Sequence, residues 1–259
     1  MRNRITAIAY NTFREAVRDR VLYNLVVFAI LMVGAALLFG EISIGIERQV
    51  LVNLGFTAIS LFGIVIAIFI GIGLVSKEIE KKTLYTVLGA RPVRRWEFIL
   101  GKYSGLMGTL VVNAGFMALG FFAALFYLTH HFERADGYLL VALYFIVLEF
   151  FLITAIAIFF STFSTPLMSA VFAFSLFVIG TFAEDLRSFA SMTEGATRYL
   201  ATGLAWLVPN FAAFNVVSQV AHSAAIPARL VLYNSIYAAL YVMVCLSASV
   251  VVFERRNFK

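Results

Sequence analysis

Glu149 is a carboxylate set inside a long apolar run, LYFIVLEFFLITAIAIF. Holding a charge at that depth in hydrocarbon costs a few kcal/mol, so such a side chain is a candidate for binding a proton or a substrate. Two other readings of Glu149 stay open: a protonated glutamate bonded to a neighbouring helix, and a contact between subunits. The nearest polar group further along the same run is Thr154. The three histidines, His130, His131 and His222, fall outside the apolar runs. Adjacent histidines on a regular helix cannot face one metal, and a haem held by two histidines in the membrane is excluded. Cys245 is the one cysteine, so no internal disulfide can form. There is no nucleophile–base pair, no metal-ligand cluster and no second intramembrane carboxylate, which argues against an enzyme.

The elements that must position Glu149 follow from composition. The chain has 259 residues, 62% hydrophobic and 13% charged, with a mean hydropathy of +0.95. A soluble domain carries roughly 25% charged residues, so this much apolar surface belongs in a bilayer. The sequence predicts an all-α, polytopic membrane protein with six spans. They fall at about Val21–Gly40, Leu51–Val75, Tyr103–Leu128, Tyr138–Phe160, Pro166–Ala183 and Arg229–Phe253. Each has close to the ~20 residues needed to cross, the fifth only just. Residues 1–20 read as an amphipathic helix in the membrane interface. Ile5, Ile8, Ala9, Thr12, Phe13, Ala16 and Val17 share one side, and Arg4, Arg14, Glu15 and Arg18 the other. That stretch is too long and too charged for the leading region of a cleavable signal peptide.

The most charged segment is 76–102, SKEIEKKTLYTVLGARPVRRWEFILGK, with seven basic residues against three glutamates. A basic connection of this kind stays on the cytoplasmic side. Counting it with the two termini places fifteen basic residues on one side and five on the other. Both termini are therefore expected in the cytoplasm, which fits an even number of spans. The net charge of +6 belongs to the ends of spans and does not signal nucleic acid. Within the segment, Lys77–Leu88 predicts a short amphipathic helix stopped by Gly89 and Arg91-Pro92, a suitable docking element for a soluble partner. Trp96 and Tyr103 suit the interface.

The outer segment 184–227 is expected to hold two short helices, at Leu200–Val208 and Phe211–Val220, parted by Pro209. Each is too short to span, and they are expected to dip back toward the membrane or cap the outer mouth. Gly101 and Gly105 make a GxxxG at the head of the third span, a weak packing signal. Asn113, Asn234 and Ser235 could bond across helices. Tyr233, Tyr237 and Tyr241 form a stripe on the sixth span. No internal repeat is seen, so the paired interrupted helices of inverted-repeat transporters are missing.

Lys77–Leu88, Arg91–Phe98 and Gly101–Tyr103, with Phe13-Arg14-Glu15, Arg18-Asp19-Arg20 and Pro209-Asn210-Phe211, resemble the pattern of ABC-2 type transporter permeases. The resemblance covers essentially the whole chain as a single transmembrane domain. It is nearest to permeases linked to multi-copper enzyme maturation, such as the one serving nitrous-oxide reductase. It implies a membrane subunit, most simply of an exporter, in a bacterial inner membrane. It also implies a cytoplasmic coupling helix through which Glu78, Lys81, Lys82, Thr83 and Leu84 meet a separate ATPase, with Arg14 and Glu15 in support. ATP and Mg would belong to that partner, because Gly101-Lys102 lacks the earlier glycine and the following Ser/Thr of a phosphate loop. Lipids and a second permease copy or homologue complete the expected partners. The rival expectation is an ATP-independent secondary transporter or channel using Glu149. Few intramembrane charges favour a lipid-like, hydrophobic or sulfur-containing substrate.

Overall fold

A computed structural model describes residues 2–18, 47–80, 94–130, 136–222 and 224–255, and of residues 19–46 only 27, 28, 30–32, 34, 35 and 38. All regular structure among the described residues is helical. In chain order, α1 is Arg2–Arg18, α2 Glu47–Glu80, α3 Arg95–Thr129, α4 Gly137–Ser161 and α5 Pro166–Thr181. Then come α6 (Ala183–Met192), α7 (Ala196–Leu207), a 3-10 turn (Ala212–Phe214), α8 (Val217–Ala221) and α9 (Ala228–Arg255).

Four of these, α2, α3, α4 and α9, are long and apolar enough to cross a membrane, and the pair α5–α6, bent by 55°, would make a fifth. Of the expected first span, the described residues are helical, with Phe28, Met32 and Ala35 buried and Val27, Ile30, Leu31 and Leu38 exposed. That spacing is one helical face. The rest of Val21–Gly40 lies outside the described residues. Among the described residues the count is four, or five with the bent pair, where six are expected.

α4 is the central helix. It is apolar on every side and mostly buried, from Leu139 through Phe145, Phe150 and Ile153 to Ile158, with Leu140 and Tyr144 exposed near its start. It packs on α2, α3, α5 and α9. Between spans the lipid is as apolar as the side chains, so close packing and hydrogen bonds hold helices together more than water exclusion does. Close packing is visible where Gly63 of α2 faces the Phe150 ring. A Cβ there would lie 1.8 Å from the ring edge. At the ends of α2 and α4, Arg48 and Asp136 form an ion pair of 2.5 Å. Both residues stand at helix starts, so the two helices begin on the same side of the molecule.

The element ends add detail to the expectations. In the charged segment 76–102, α2 continues through Glu80 and α3 starts at Arg95. Charged residues are no obstacle to a helix leaving the bilayer, and the α3 start is capped when the Arg94 N–H donates to Glu97 Oε2 at 3.0 Å. The coupling helix expected over Lys77–Leu88 therefore begins as the last turn of α2, and its residues 81–88 lie outside the described residues. The fifth span, expected to Ala183, is a 16-residue helix. Pro166 starts it at a position where its missing N–H costs nothing, and it bends at Phe182. The outer segment also holds a helix ahead of the two expected, α6. The two short outer helices are found as α7 and as the 3-10 turn with α8.

Candidate functional site

Glu149 lies twelve residues into α4 and Ser60 thirteen residues into α2, about 18 and 20 Å from those helix starts at 1.5 Å per residue. The Arg48–Asp136 pair aligns the starts, so the two side chains arrive at the same depth. The Ser60 hydroxyl donates to Glu149 Oε2 at 2.8 Å, and the glutamate is 8% exposed. One of the open readings of Glu149, a bond to a neighbouring helix, is what the structure contains. Among the described residues, the other carboxyl oxygen receives no hydrogen bond. Thr154 does not join it: its methyl faces Gly71 of α2, and its buried hydroxyl has no partner among the described residues.

Glu149 lines a cavity of about 420 Å³ bordered by α2, α4, α5, the start of α6 and residues 211–217. Thr57 and Ser60 contribute from α2, Thr181 from α5, Glu184 from α6 and Asn215 from just after the 3-10 turn. The remaining wall is apolar, with Phe56, Phe177, Phe211 and Phe214 among aliphatic residues.

Phe211 lines the cavity, and Pro209 and Asn210 lead into it. All three residues are buried. The Asn210 N–H donates to the Tyr237 hydroxyl at 2.9 Å, and Asn210 Oδ1 accepts from the Ala213 N–H at 3.2 Å, closing the 3-10 turn. The Phe211 N–H donates to Gly180 O at 3.0 Å, and Asn234 Nδ2 donates to Ala213 O at 2.8 Å. Proline at 209 frees the backbone from any helix, and these bonds satisfy the donors it exposes. Gly180 is required here. A Cβ would stand 2.5 Å from both Pro209 O and the Phe211 ring. Of the tyrosine stripe, Tyr237 and Tyr241 pack inward with rings 5.9 Å apart, while Tyr233 is 72% exposed. Ser235 shares a 2.7 Å hydrogen bond with Tyr144. Asn113 is buried with its Oδ1 unpartnered among the described residues.

The expected coupling residues lie elsewhere. Lys81, Lys82, Thr83 and Leu84 are outside the described residues, and Glu78 stands on the last turn of α2. Arg14 and Glu15 are exposed on α1. The opposite side of α1, with Thr12 and Ala16 buried, rests on the glycine face of α3. A Cβ at Gly101 would lie 2.7 Å from Ile8 Cβ, and one at Gly105 would lie 2.5 Å from Ala9 O. The GxxxG signal is thus a seat for α1, at the end of α3 nearest the charged segment.

Sequence reasoning missed Ser60, Thr57 and Glu184. Thr57 and Ser60 are three apart and polar in an otherwise apolar run, which is the signal that points to them. Glu184 reads as an ordinary loop acid until the α5–α6 bend turns it toward the cavity.

The long apolar helices around a buried polar centre define a multi-pass membrane protein. The profile described as ABC-2 family transporter protein matches residues 6–258, and the chain belongs to that family. No curated protein matches the sequence at a significant level.

Proposed function

We propose that the chain is the membrane-spanning subunit of an ATP-driven exporter. It has six spans and both termini on the cytoplasmic side of a bacterial inner membrane. A separate ATPase, holding ATP and Mg, docks on the 76–102 segment through Glu78, Lys81, Lys82, Thr83 and Leu84, with Arg14 and Glu15 beside them. The observation that carries this reading is the run of α2 and α3 unbroken from the membrane into that basic segment. α1 is seated on α3 next to it. A push on the segment therefore reaches the Ser60–Glu149 level through continuous helices. Nucleotide can drive such a change only by binding two states with different affinity. The apolar outward faces of α5 and α9, with Leu167, Phe174, Leu240 and Val244 exposed, supply surface for lipid and for a second permease copy or homologue. The resemblance to permeases of multi-copper enzyme maturation points to a role of that kind.

The test is purification of the tagged chain from its native membrane in mild detergent, with mass spectrometry of what accompanies it. A Walker-motif ATPase at equal copy number, lost on Glu78→Arg while the chain still inserts, is the expected result. Recovery of a stable chain without ATPase overturns the reading. The buried Glu149 beside a cavity would then favour an ATP-independent secondary transporter or channel, recognised by transport that follows the proton gradient and ignores ATP.

A further inference from the structure

The intramembrane cavity has a chemical character that family membership does not supply. Its described lining carries two carboxylates, Glu149 and Glu184, and no lysine, arginine or histidine. The two differ in setting. Glu149 is buried at the inner end with one oxygen already held by Ser60, and Glu184 is exposed on α6 near the bend. Phe56, Phe177, Phe211 and Phe214 line the same cavity. Arg187, one turn beyond Glu184, is exposed and does not line the cavity.

We infer that this cavity binds a hydrophobic organic monocation, with the charge at the Glu149 carboxylate and the apolar body against the phenylalanine walls. Three arguments select that class. Glu149 lines the cavity, and one of its carboxyl oxygens receives no hydrogen bond among the described residues, which leaves an acceptor open to a positive group. Aromatic faces attract cations and exclude anions through the ring quadrupole. A volume of about 420 Å³ is in the range of small-molecule pockets, roughly 300–1,000 Å³, and is far larger than a bare metal ion needs. The exposed Glu184 raises the local concentration of cations at the rim. The inference rests on the chain being a membrane protein and not on its ATPase, so the two readings fail separately.

The test uses the purified chain in nanodiscs of neutral phosphatidylcholine, with empty nanodiscs subtracted. The probes are tetraphenylphosphonium and its anionic counterpart of the same shape, tetraphenylborate. Saturable uptake of one phosphonium per chain is expected, with no saturable uptake of the borate. Glu149→Gln, which keeps shape and the Ser60 bond, is expected to weaken phosphonium binding about tenfold or more. Glu184→Lys sits on an exposed helical turn where folding is not at stake, and it is expected to weaken binding by a similar factor. Equal uptake of the two probes overturns the inference, since the cavity would then select by shape alone. Unchanged phosphonium affinity in both variants also overturns it. No saturable binding by the unaltered chain overturns it too, while leaving ATPase recovery to decide the proposed function.

Discussion

The Ser60–Glu149 bond joins two spans, and bonds of this kind within a membrane are worth about 0.6–1.7 kcal/mol. Ser60→Ala is therefore expected to lower the thermal midpoint of the purified chain slightly. A cycle with Glu149→Leu isolates the coupling: the double variant loses less than the sum of the singles if the contact is as described. Tyr237→Phe removes the acceptor for the buried Asn210 N–H. It is expected to cost about 1–2 kcal/mol and to speed protease cleavage within 209–216, while a cleavage rate equal to that of the unaltered chain would contradict the bond. Sequence reading reaches Glu149, because a carboxylate in an apolar run is conspicuous by itself. It does not reach Ser60, since serine is common in spans and only tertiary packing brings it beside Glu149. Asn210 is legible as a helix breaker's neighbour, but its Tyr237 and Ala213 partners are not.

Helix contacts here rest on glycine at several places, and at Gly105 and Gly180 the glycine faces a backbone carbonyl. At the α1–α3 contact, Gly105→Leu is expected to dislodge α1, because the new side chain would displace the Ala9 backbone carbonyl. The checks are a lower thermal midpoint and faster tryptic cleavage at Arg14, with Gly105→Ala intermediate. At the α5 end, Gly180→Ala pushes against Pro209 O, a backbone atom that cannot rotate away. It is expected to destabilise the contact with Pro209 and Phe211 by about 1–3 kcal/mol, in the range of overpacked sites. The existence of α2, α3, α4 and α9 is plain from apolar runs near span length. Their ends are not, because the apolar run stops while Ser76–Glu80 and Arg95–Lys102 go on as helix. The α6 helix escaped notice because its ten residues are short, mixed in polarity and placed after a bend.

Across the whole molecule, the Arg48–Asp136 pair fixes the relative height of α2 and α4, and with it the meeting of Ser60 and Glu149. Asp136→Asn keeps the shape but removes the charge, and is expected to weaken phosphonium uptake as well as stability, the first through the shifted height of Glu149. Sidedness has a direct check in a Cys245→Ala background. A single cysteine at Asn3 and one at Lys259 are both expected to react with an impermeant maleimide only after the membrane is opened. One at His131 is expected to react without opening. Labelling at opposite sides for the two termini would rule out an even number of spans. The seat of α1 on α3 also sets an order of events during synthesis. Ala9 and Gly105 are nearly a hundred residues apart, so at roughly 5–20 residues per second α1 leaves the ribosome several seconds before its seat exists. Its two-sided character gives it a waiting place among lipid headgroups for that interval. Chains stalled before Gly105 should carry an α1 open to protease, and chains stalled beyond Thr129 a protected one.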